Sequence, residues 1–376
     1  MFPRTLAPLL LILLGVTSAA GVAFGCDPAV SDWLGGLWVL RAMHRLQWLL
    51  IGLTVLSGLG LAALVTFERR RAWWLLGLLP VVGLFGWRFG TAADRLSLWV
   101  EDQPAFASAA QSAWLGDDDL VIGVEVEGQA YAYPLPALRR APVVVQSDRA
   151  RRLMVAWSAG ANCASAVWVD RVVRGRDLEV VAAPAGVLLV YNRRLGVFFD
   201  ALTLRDPARR PAAGLGERLP TTLVPWGQWR TARPETLVLQ PRFPPARDNP
   251  ETVAAEPVAL ICTAPPIALS LAAISDQPLN VSSGPSAALL FREPDGRLRA
   301  FDRRVDGDLF PRFSLQTDRR TGRATLLDAD TGSTWGFDGI ATAGPMEGKR
   351  LAPLIVQPGV SAAAVRYWAP DAVWGP

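Results

Sequence analysis

Apolar residues run through three long stretches near the N-terminus and then break into short runs beyond residue 95. The stretches 6–25 and 48–67 carry no charge, and each is about long enough to cross a hydrocarbon core of ~30 Å. The stretch 72–87 is slightly shorter and ends in aromatic residues. We therefore predict transmembrane helices over about 6–25, 47–67 and 72–89, with an amphipathic interfacial helix over about 32–46. The first stretch is interpreted as a retained helix, and a cleaved signal peptide is the alternative.

Charge placement predicts the orientation of these helices. Residues 1–95 hold eight arginines and four acidic residues, whereas the remainder holds 30 basic and 30 acidic residues. Arg4 and the run at 69–71 lie at the ends of the predicted spans, where basic residues favour the cytoplasmic side. We expect a protein of the bacterial inner membrane whose C-terminal region lies in the periplasm.

Small and aromatic residues mark the predicted contact surfaces of the helices. Glycine, alanine and threonine recur at helical spacing, which is typical of closely packed membrane helices. Tryptophans near the ends of the spans are typical of the membrane–water interface. We predict contacts with lipid and with other membrane subunits at Gly15, Ala19, Ala23, Trp33, Trp38, Trp48, Thr54, Gly58, Ala62, Trp73, Trp74, Gly86, Trp87 and Gly90.

Short runs rich in β-branched and aromatic residues follow residue 95, separated by glycine, proline and arginine. The pattern Asp170-x-x-Val173-x-Gly175 recurs as Asp302-x-x-Val305-x-Gly307. These repeats predict two related, mainly β copies over 96–240 and 257–376, joined by a proline-rich linker at 241–256. The fold class we expect is a membrane-anchored chain with three transmembrane helices and a duplicated β-rich exterior.

Composition argues against most chemical functions. The single histidine, His44, lies in the predicted interfacial helix, so no Ser–His or Cys–His pair is available in the exterior. Cys26, Cys163 and Cys262 are too widely spaced for a zinc pattern or a disulfide framework. Nucleic-acid binding is not predicted, because the sequence contains no cluster of arginines interleaved with aromatic residues. We predict no catalytic residue, no cofactor, no metal site and no nucleic-acid partner.

Four separated segments of the exterior carry distinctive motifs. They are DDDLVIGVEVEGQAYAYPL at 117–135, LPTTLVPWGQWRTARPETLVL at 219–239, FDRRVDG at 301–307 and TGSTWGFDGIATAGPMEGKRLAPL at 331–354. Together these segments resemble the bacterial domain-of-unknown-function 3179 family. The resemblance extends from about residue 99 to the C-terminus. It implies an architecture rather than a reaction, because the activity of the family is not established.

The chain departs from the family pattern at the residues that carry chemistry. The resemblance places a His-Glu pair at Ala141 and Pro142, and a C-x-x-C pair at Gly160 and Cys163. A C-x-x-C pair exchanges electrons or holds a soft metal because two thiolates converge, which one thiol does not achieve. We interpret Cys163 as a small buried apolar residue. The residual motif positions are Cys163, Asp170, Asp302 and Trp335, with Phe199 at the position of Trp335 in the first copy.

These patterns favour a non-catalytic structural protein, an accessory subunit of a larger bacterial membrane complex. A respiratory or photosynthetic assembly is the expected host, since such assemblies recruit helical subunits without cofactors. Two alternatives stay open. One is an envelope redox or metal-handling protein that acts through Cys163, and the other is a periplasmic ligand-binding module.

Overall fold

A computed structural model describes most of the chain. The described ranges are 6–25, 37–67, 69–96, 98–148, 151–242, 256–275, 277–283, 286–293, 297–307, 309–317 and 324–375. Trp33, Cys26 and most of the predicted linker lie outside these residues, as does the first part of the predicted interfacial helix.

The N-terminal region is helical. Helix α1 (Leu6–Gly25) and helix α2 (Leu37–Phe67) are followed by a 3₁₀ segment (Arg69–Leu78) and helix α3 (Leu79–Leu96). Helix α1 and residues 38–66 within α2 are long and apolar enough to cross a membrane, whereas the apolar stretch over 73–87 is shorter. From Leu37 onward the segment expected as a separate interfacial helix continues into α2 without a break. The region 72–89, expected as one helix, is part 3₁₀ and part α-helix.

The part of the chain from residue 98 onward is here called the exterior, and its first half is β-rich, as the short alternating runs predict. Two short helices, α4 (Leu135–Leu138) and α5 (Trp226–Ala232), interrupt the strands. The strands in chain order are β1 (Val100–Glu101), β2 (Phe106–Ser108), β3 (Leu120–Val126), β4 (Gln129–Pro134), β5 (Val143–Asp148), β6 (Arg151–Ser158), β7 (Cys163–Val169), β8 (Leu178–Ala182), β9 (Leu189–Asn192), β10 (Val197–Asp200), β11 (Leu215–Leu219), β12 (Thr222–Pro225) and β13 (Leu237–Leu239).

Three sheets are built from these strands, with the orders β1-β5-β6-β7-β11, β12-β3-β4-β13-β2 and β10-β9-β8. The hairpin of β3 and β4 turns at Glu127 and Gly128, both with positive φ, as a two-residue hairpin turn requires. Alternate residues of β3 and β4 face two apolar clusters on opposite sides of their sheet. This sheet is therefore buried on both faces.

The second half contains the remaining strands and helix α6 (Ala362–Trp368). The strands are β14 (Pro257–Ile261), β15 (Ile267–Ser270), β16 (Leu279–Ser283), β17 (Ser286–Arg292), β18 (Leu298–Asp302), β19 (Phe313–Thr317), β20 (Ala324–Asp328), β21 (Thr334–Trp335), β22 (Ala341–Ala343), β23 (Ala352–Leu354), β24 (Val356–Ser361) and β25 (Val373–Trp374). The sheet orders among them are β24-β14-β15-β25, β16-β17-β18-β23 and β19-β20-β21-β22.

One large apolar core joins both halves and the end of a helix. It includes Val143 and Phe198 from the first half, Leu260 and Val365 from the second, and Leu40 from α2. Burial of apolar surface contributes about 25 cal/mol per Å², so a shared core of this kind strongly favours the joined arrangement. The two halves and the first turns of α2 therefore form one packed unit.

Candidate functional site

The segment that matches the family's cysteine motif is the turn between β6 and β7. Strand β6 ends at Ser158, a 3₁₀ turn covers Ala159–Ala161, and β7 begins at Cys163, which pairs with Ser158 across the hairpin. Asn162 between them has φ 47°, in the left-handed region that asparagine tolerates better than most residues. The turn is therefore a defined structure that places Cys163 at the start of a buried strand.

No room exists for a side chain at Gly160, where the family resemblance places a first cysteine. A Cβ atom there would lie 2.9 Å from Cα of Gly186 and 3.3 Å from its carbonyl oxygen. Gly186 has φ 79°, and it ends the turn Pro184–Gly186 that packs against Ala159–Ala161. The backbone of this second turn occupies the space that a cysteine side chain at position 160 needs.

Cys163 has the environment of an unreactive thiol. Its side chain is 1% exposed and lies in the large shared core. Burial raises the pKa of the Cys163 thiol from 9.0 to about 12, opposed by hydrogen bonding from Ser158, while Asp200 raises this pKa and Arg218 lowers it. A thiol with this pKa stays protonated at neutral pH and is a poor nucleophile or metal ligand. The expectation that Cys163 is buried is confirmed.

Asp200, which belongs to none of the sequence motifs, is a buried carboxylate beside Cys163. It accepts hydrogen bonds at Oδ1 from the backbone of Leu202 (2.9 Å) and of Thr203 (2.5 Å), and at Oδ2 from the Thr203 hydroxyl. Burial raises the pKa of Asp200, and the hydrogen bonds from Thr203 oppose this shift. These contacts close the turn after β10, so Asp200 has a structural role in this turn.

Arg218 on β11 contacts Cys262, one of the two cysteines that the structure describes. Its Nη1 donates to Sγ of Cys262 at 2.9 Å, and its Nη2 donates to the carbonyl oxygen of Leu202 and lies 3.5 Å from Oγ of Ser165. Its charge also acts on Cys163. Arg218 was not predicted from the sequence, because an arginine in a strand carries no local signal of burial.

Gln357 of the second half completes this polar cluster. Its Nε2 lies 3.9 Å from Sγ of Cys262, and its Oε1 has no hydrogen-bond partner among the described residues. Cys163 and Cys262 are both free thiols. Within the described part of the chain, no group of three or more His, Cys, Asp or Glu side chains is arranged to hold a metal ion.

The other motif positions do not join Cys163. Asp170 is exposed, and its carbonyl oxygen accepts the backbone N–H of Val173 at 2.9 Å. Asp302 accepts the backbone N–H of Arg304 at 2.9 Å, so it closes a turn. Trp335 is fully buried in a different apolar cluster, with an edge-to-face contact to Phe313. Asp170, Asp302 and Trp335 therefore have local structural roles.

Small residues of the helices divide into inward-facing and outward-facing sets. Ala19 and Ala23 are each 1% exposed, and a Cβ atom at Gly15 would lie 2.5 Å from Oγ of Ser57. Thr54 is also buried, whereas Gly58 and Gly86 have open space where a side chain would project. Ala62 is exposed, and Gly90 lies in α3.

The tryptophans of the helices are mostly exposed, as interfacial or lipid-facing residues are. Trp74 is the exception among those described, because it is buried and stacks on Trp73 with a centroid separation of 4.0 Å. The exposed members are Trp38, Trp48, Trp73 and Trp87.

His44, which lies in the predicted interfacial helix, is buried against the exterior. Its ring packs edge-on against Tyr191 (4.7 Å) and Phe198 (5.6 Å), and its Nε2 lies 3.9 Å from Oε2 of Glu179. The neighbouring Arg45 donates from Nη2 to the carbonyl oxygen of Gly196 at 2.6 Å. The first turns of α2 are therefore docked on β8, β9 and β10.

Comparison with known proteins agrees with the family resemblance over part of the chain. A family model described as "Protein of unknown function (DUF3179)" matches residues 100–261, from β1 to the end of β14. No curated protein matches the chain, and no solved structure matches it. The match thus agrees with the DUF3179 resemblance over residues 100–261, which contain the first two of the four resembling segments.

Proposed function

We propose that this chain is a non-catalytic structural protein of a membrane, an accessory subunit that stabilises a larger bacterial membrane complex. The observation that carries the proposal is the state of the family's cysteine motif. The backbone of Gly186 fills the space beside Gly160, and Cys163 is buried with its proton retained. A turn closed in this way holds the fold together and presents no reactive group.

The docking of α2 supports a three-span topology. Arg45 and His44 contact the exterior, so the start of α2 lies on the same side of the membrane as the β-rich region. If α2 crosses the membrane, the chain must cross once more before β1 begins. The 3₁₀ segment and α3 span about 45 Å at 2.0 and 1.5 Å per residue, which suffices for this crossing. Arginines 69–71 then lie on the opposite side, which the positive-inside rule makes cytoplasmic. The exterior lies in the periplasm.

Matching strand orders support two related copies in the exterior. In the first half, β12, β3 and β4 are antiparallel neighbours and β13 joins β4 in parallel. In the second half, β24, β14 and β15 are antiparallel neighbours and β25 joins β15 in parallel. A short helix connects the outer strands in both cases. The turn after β9 also resembles the turn after β20, since Oδ1 of Asn192 and of Asp328 each accept two backbone N–H groups.

Outward-facing glycines supply the surface for partner subunits. Gly58 on α2 and Gly83 and Gly86 on α3 have no atom within 4 Å of the place that a Cβ atom would take, and large apolar side chains such as Leu59 and Val82 are exposed beside them. Small residues on an apolar helix face let a neighbouring helix approach closely. Residues 6–25 and 47–67 contain no ionisable side chain, which is consistent with packing rather than transport.

Native analysis of gently solubilised membranes tests the proposal. We expect the wild-type chain to migrate in a complex larger than its own 40.6 kDa. Gly86→Leu should release the chain from that complex without unfolding it, because the substituted side chain projects into open space. Ala63→Leu, at an exposed position outside the predicted small-residue faces, is the matched control and should leave the complex intact. A wild-type chain that migrates alone contradicts the proposal.

The redox or metal-handling alternative is tested by Cys163→Ser. Under the structural proposal, this substitution leaves the metal content of the purified chain unchanged. Cys163 keeps its proton, and it belongs to no group of three or more potential metal ligands among the described residues. Loss of bound metal in the variant would favour the alternative.

A further inference from the structure

A cleft of about 290 Å³ in the first half is lined by an unusual set of charges. Three arginines, Arg152, Arg174 and Arg176, share the cleft with a single acid, Asp102. Gln103 and Ser147 add neutral polar groups to its wall. The exterior as a whole has equal numbers of basic and acidic residues, so this excess of positive charge is local.

The sequence motif Asp170-x-x-Val173-x-Gly175 holds two of these arginines in place. Val173 is fully buried, and its carbonyl oxygen accepts a hydrogen bond from Nη1 of Arg152 at 2.7 Å. The backbone N–H of Gly175 donates to Oδ1 of Asp102 at 2.6 Å, and a Cβ atom at Gly175 would collide with Asp102. Arg174 and Arg176 flank this pinned glycine, so the loop presents both of them to the cleft.

The arginines are not required by the loop itself. The second occurrence of the motif, ending at Gly307, has Asp306 at the place of Arg174, and Asp306 pairs with Lys349 at 2.9 Å. The side chains of Arg174 and Arg176 make no hydrogen bond or ion pair with any described residue, whereas Arg233 elsewhere on the surface pairs with an acid. One oxygen of Asp102 is already bound by the Gly175 N–H. The cleft thus holds guanidinium groups that lack a counter-ion among the described residues.

We propose that this cleft binds a phosphate group. Guanidinium groups donate paired hydrogen bonds that match the oxygens of phosphate, and three of them around one cleft suit an oxyanion better than a cation or a neutral ligand. Ser147 and Gln103 provide further hydrogen-bonding groups at the wall.

The position of the cleft brings two sources of phosphate within reach. Asp102 lies six residues beyond the end of α3 at Leu96. The arginine-bearing loop leads directly into β8, whose Glu179 lies beside His44 of α2. The cleft is therefore close to the membrane-anchored helices, where the phosphate of a lipid headgroup and a soluble phosphate are both accessible.

Binding to the full chain in a phosphate-free detergent tests the proposal. Titration with inorganic phosphate, followed by calorimetry, should give saturable binding to the wild type. Arg174→Gln combined with Arg176→Gln should weaken binding about tenfold or more, because the variant loses two charged donors that face the anion. Arg171→Gln combined with Arg194→Gln removes the same charge from exposed positions outside the cleft and should leave binding unchanged.

Native mass spectrometry after incubation with phosphatidylglycerol separates the two sources. Retention of lipid by the wild type and the control pair, but not by the Arg174 and Arg176 pair, identifies a headgroup phosphate. Phosphate binding with equal lipid retention in all three proteins identifies a soluble phosphate. Absence of both kinds of binding, or equal loss in the control pair, overturns the proposal. None of these outcomes depends on whether the chain is part of a larger complex.

Discussion

Restoring the missing cysteine is the sharpest perturbation that the structure offers. In Gly160→Cys, the new Cβ atom would lie 2.9 Å from Cα of Gly186, whereas carbon atoms in ordinary contact are about 3.5–4.0 Å apart. The backbone of residue 160 fixes the position of its Cβ atom, and Cα of Gly186 is itself a backbone atom. No change of side-chain rotamer therefore relieves the contact. One of the two turns must move by roughly 0.6 Å or more.

The free-energy cost follows from two opposing effects. Overpacking of this kind costs about 1–3 kcal/mol. Replacing a glycine whose φ suits other residues stabilises the folded state by about 0.4–1 kcal/mol, because the unfolded chain loses conformational freedom. We expect a net destabilisation of about 1–2 kcal/mol, which lowers Tm by about 2–8 °C for a domain of this size.

Thermal unfolding of the full chain, followed by tryptophan fluorescence, measures this change. Ala159→Cys is the matched control, because it adds a thiol at the adjacent exposed position without adding a Cβ atom, and should shift stability by about 0.5 kcal/mol at most. If Gly160→Cys unfolds at the wild-type temperature, or binds a soft metal together with Cys163, the space beside Gly160 is open and the structural interpretation of the motif is wrong.

Two further predictions concern the buried polar groups. Asp200→Ala should destabilise the chain by about 2 kcal/mol or more, because it leaves the N–H groups of Leu202 and Thr203 unpaired. Asp200→Asn should cost less than about 1 kcal/mol, because the amide keeps the acceptor oxygen. Burial raises the pKa of Asp200, so the folded state binds its proton more tightly than the unfolded state does; acidification from pH 7 should therefore stabilise the wild type relative to Asp200→Asn in chemical denaturation. For Cys163, the folded thiol keeps its proton up to about pH 12, whereas the unfolded thiol ionises near pH 9.0. The free energy of unfolding should therefore fall by about 1.4 kcal/mol per pH unit between these values. Cys163→Ala should remove this slope, and an equal slope in the variant would refute the assignment.

The sequence predicts the elements of this protein better than their contacts. Long charge-free runs locate α1 and most of α2, and short alternating runs locate the strands, because these patterns reflect which faces are buried. The sequence did not predict that α2 begins at Leu37, since the amphipathic pattern before residue 47 is shared by an interfacial helix and by a helix docked on a protein surface. His44 is buried by Tyr191 and Phe198, which lie about 150 residues further along the chain.

The candidate site shows the same limit. Cys163 was expected to be a small buried apolar residue because a second cysteine is absent from the motif, and the structure places it at 1% exposure. Asp200 and Arg218 were missed because their contacts depend on partners that the fold brings together, such as Cys262 of the second half for Arg218. The arginine cleft was missed for a related reason. Arg152 and the loop at 174–176 lie on different elements, and only the fold makes them neighbours.

The turn at which the family resemblance places a cysteine pair connects the two halves of the exterior. Nδ2 of Asn162, the residue before Cys163, lies 3.3 Å from the carbonyl oxygen of Gly359 in β24. The adjacent turn, Pro184–Gly186, accepts a hydrogen bond from Nε1 of Trp368 at 3.0 Å. A cysteine side chain at position 160 would need the space that the backbone of Gly186 occupies, so a second thiol here is incompatible with the present contact between the two turns. The joined halves also contact α2 through His44 and Arg45. Under the proposed structural role, these contacts hold the exterior against the start of that helix.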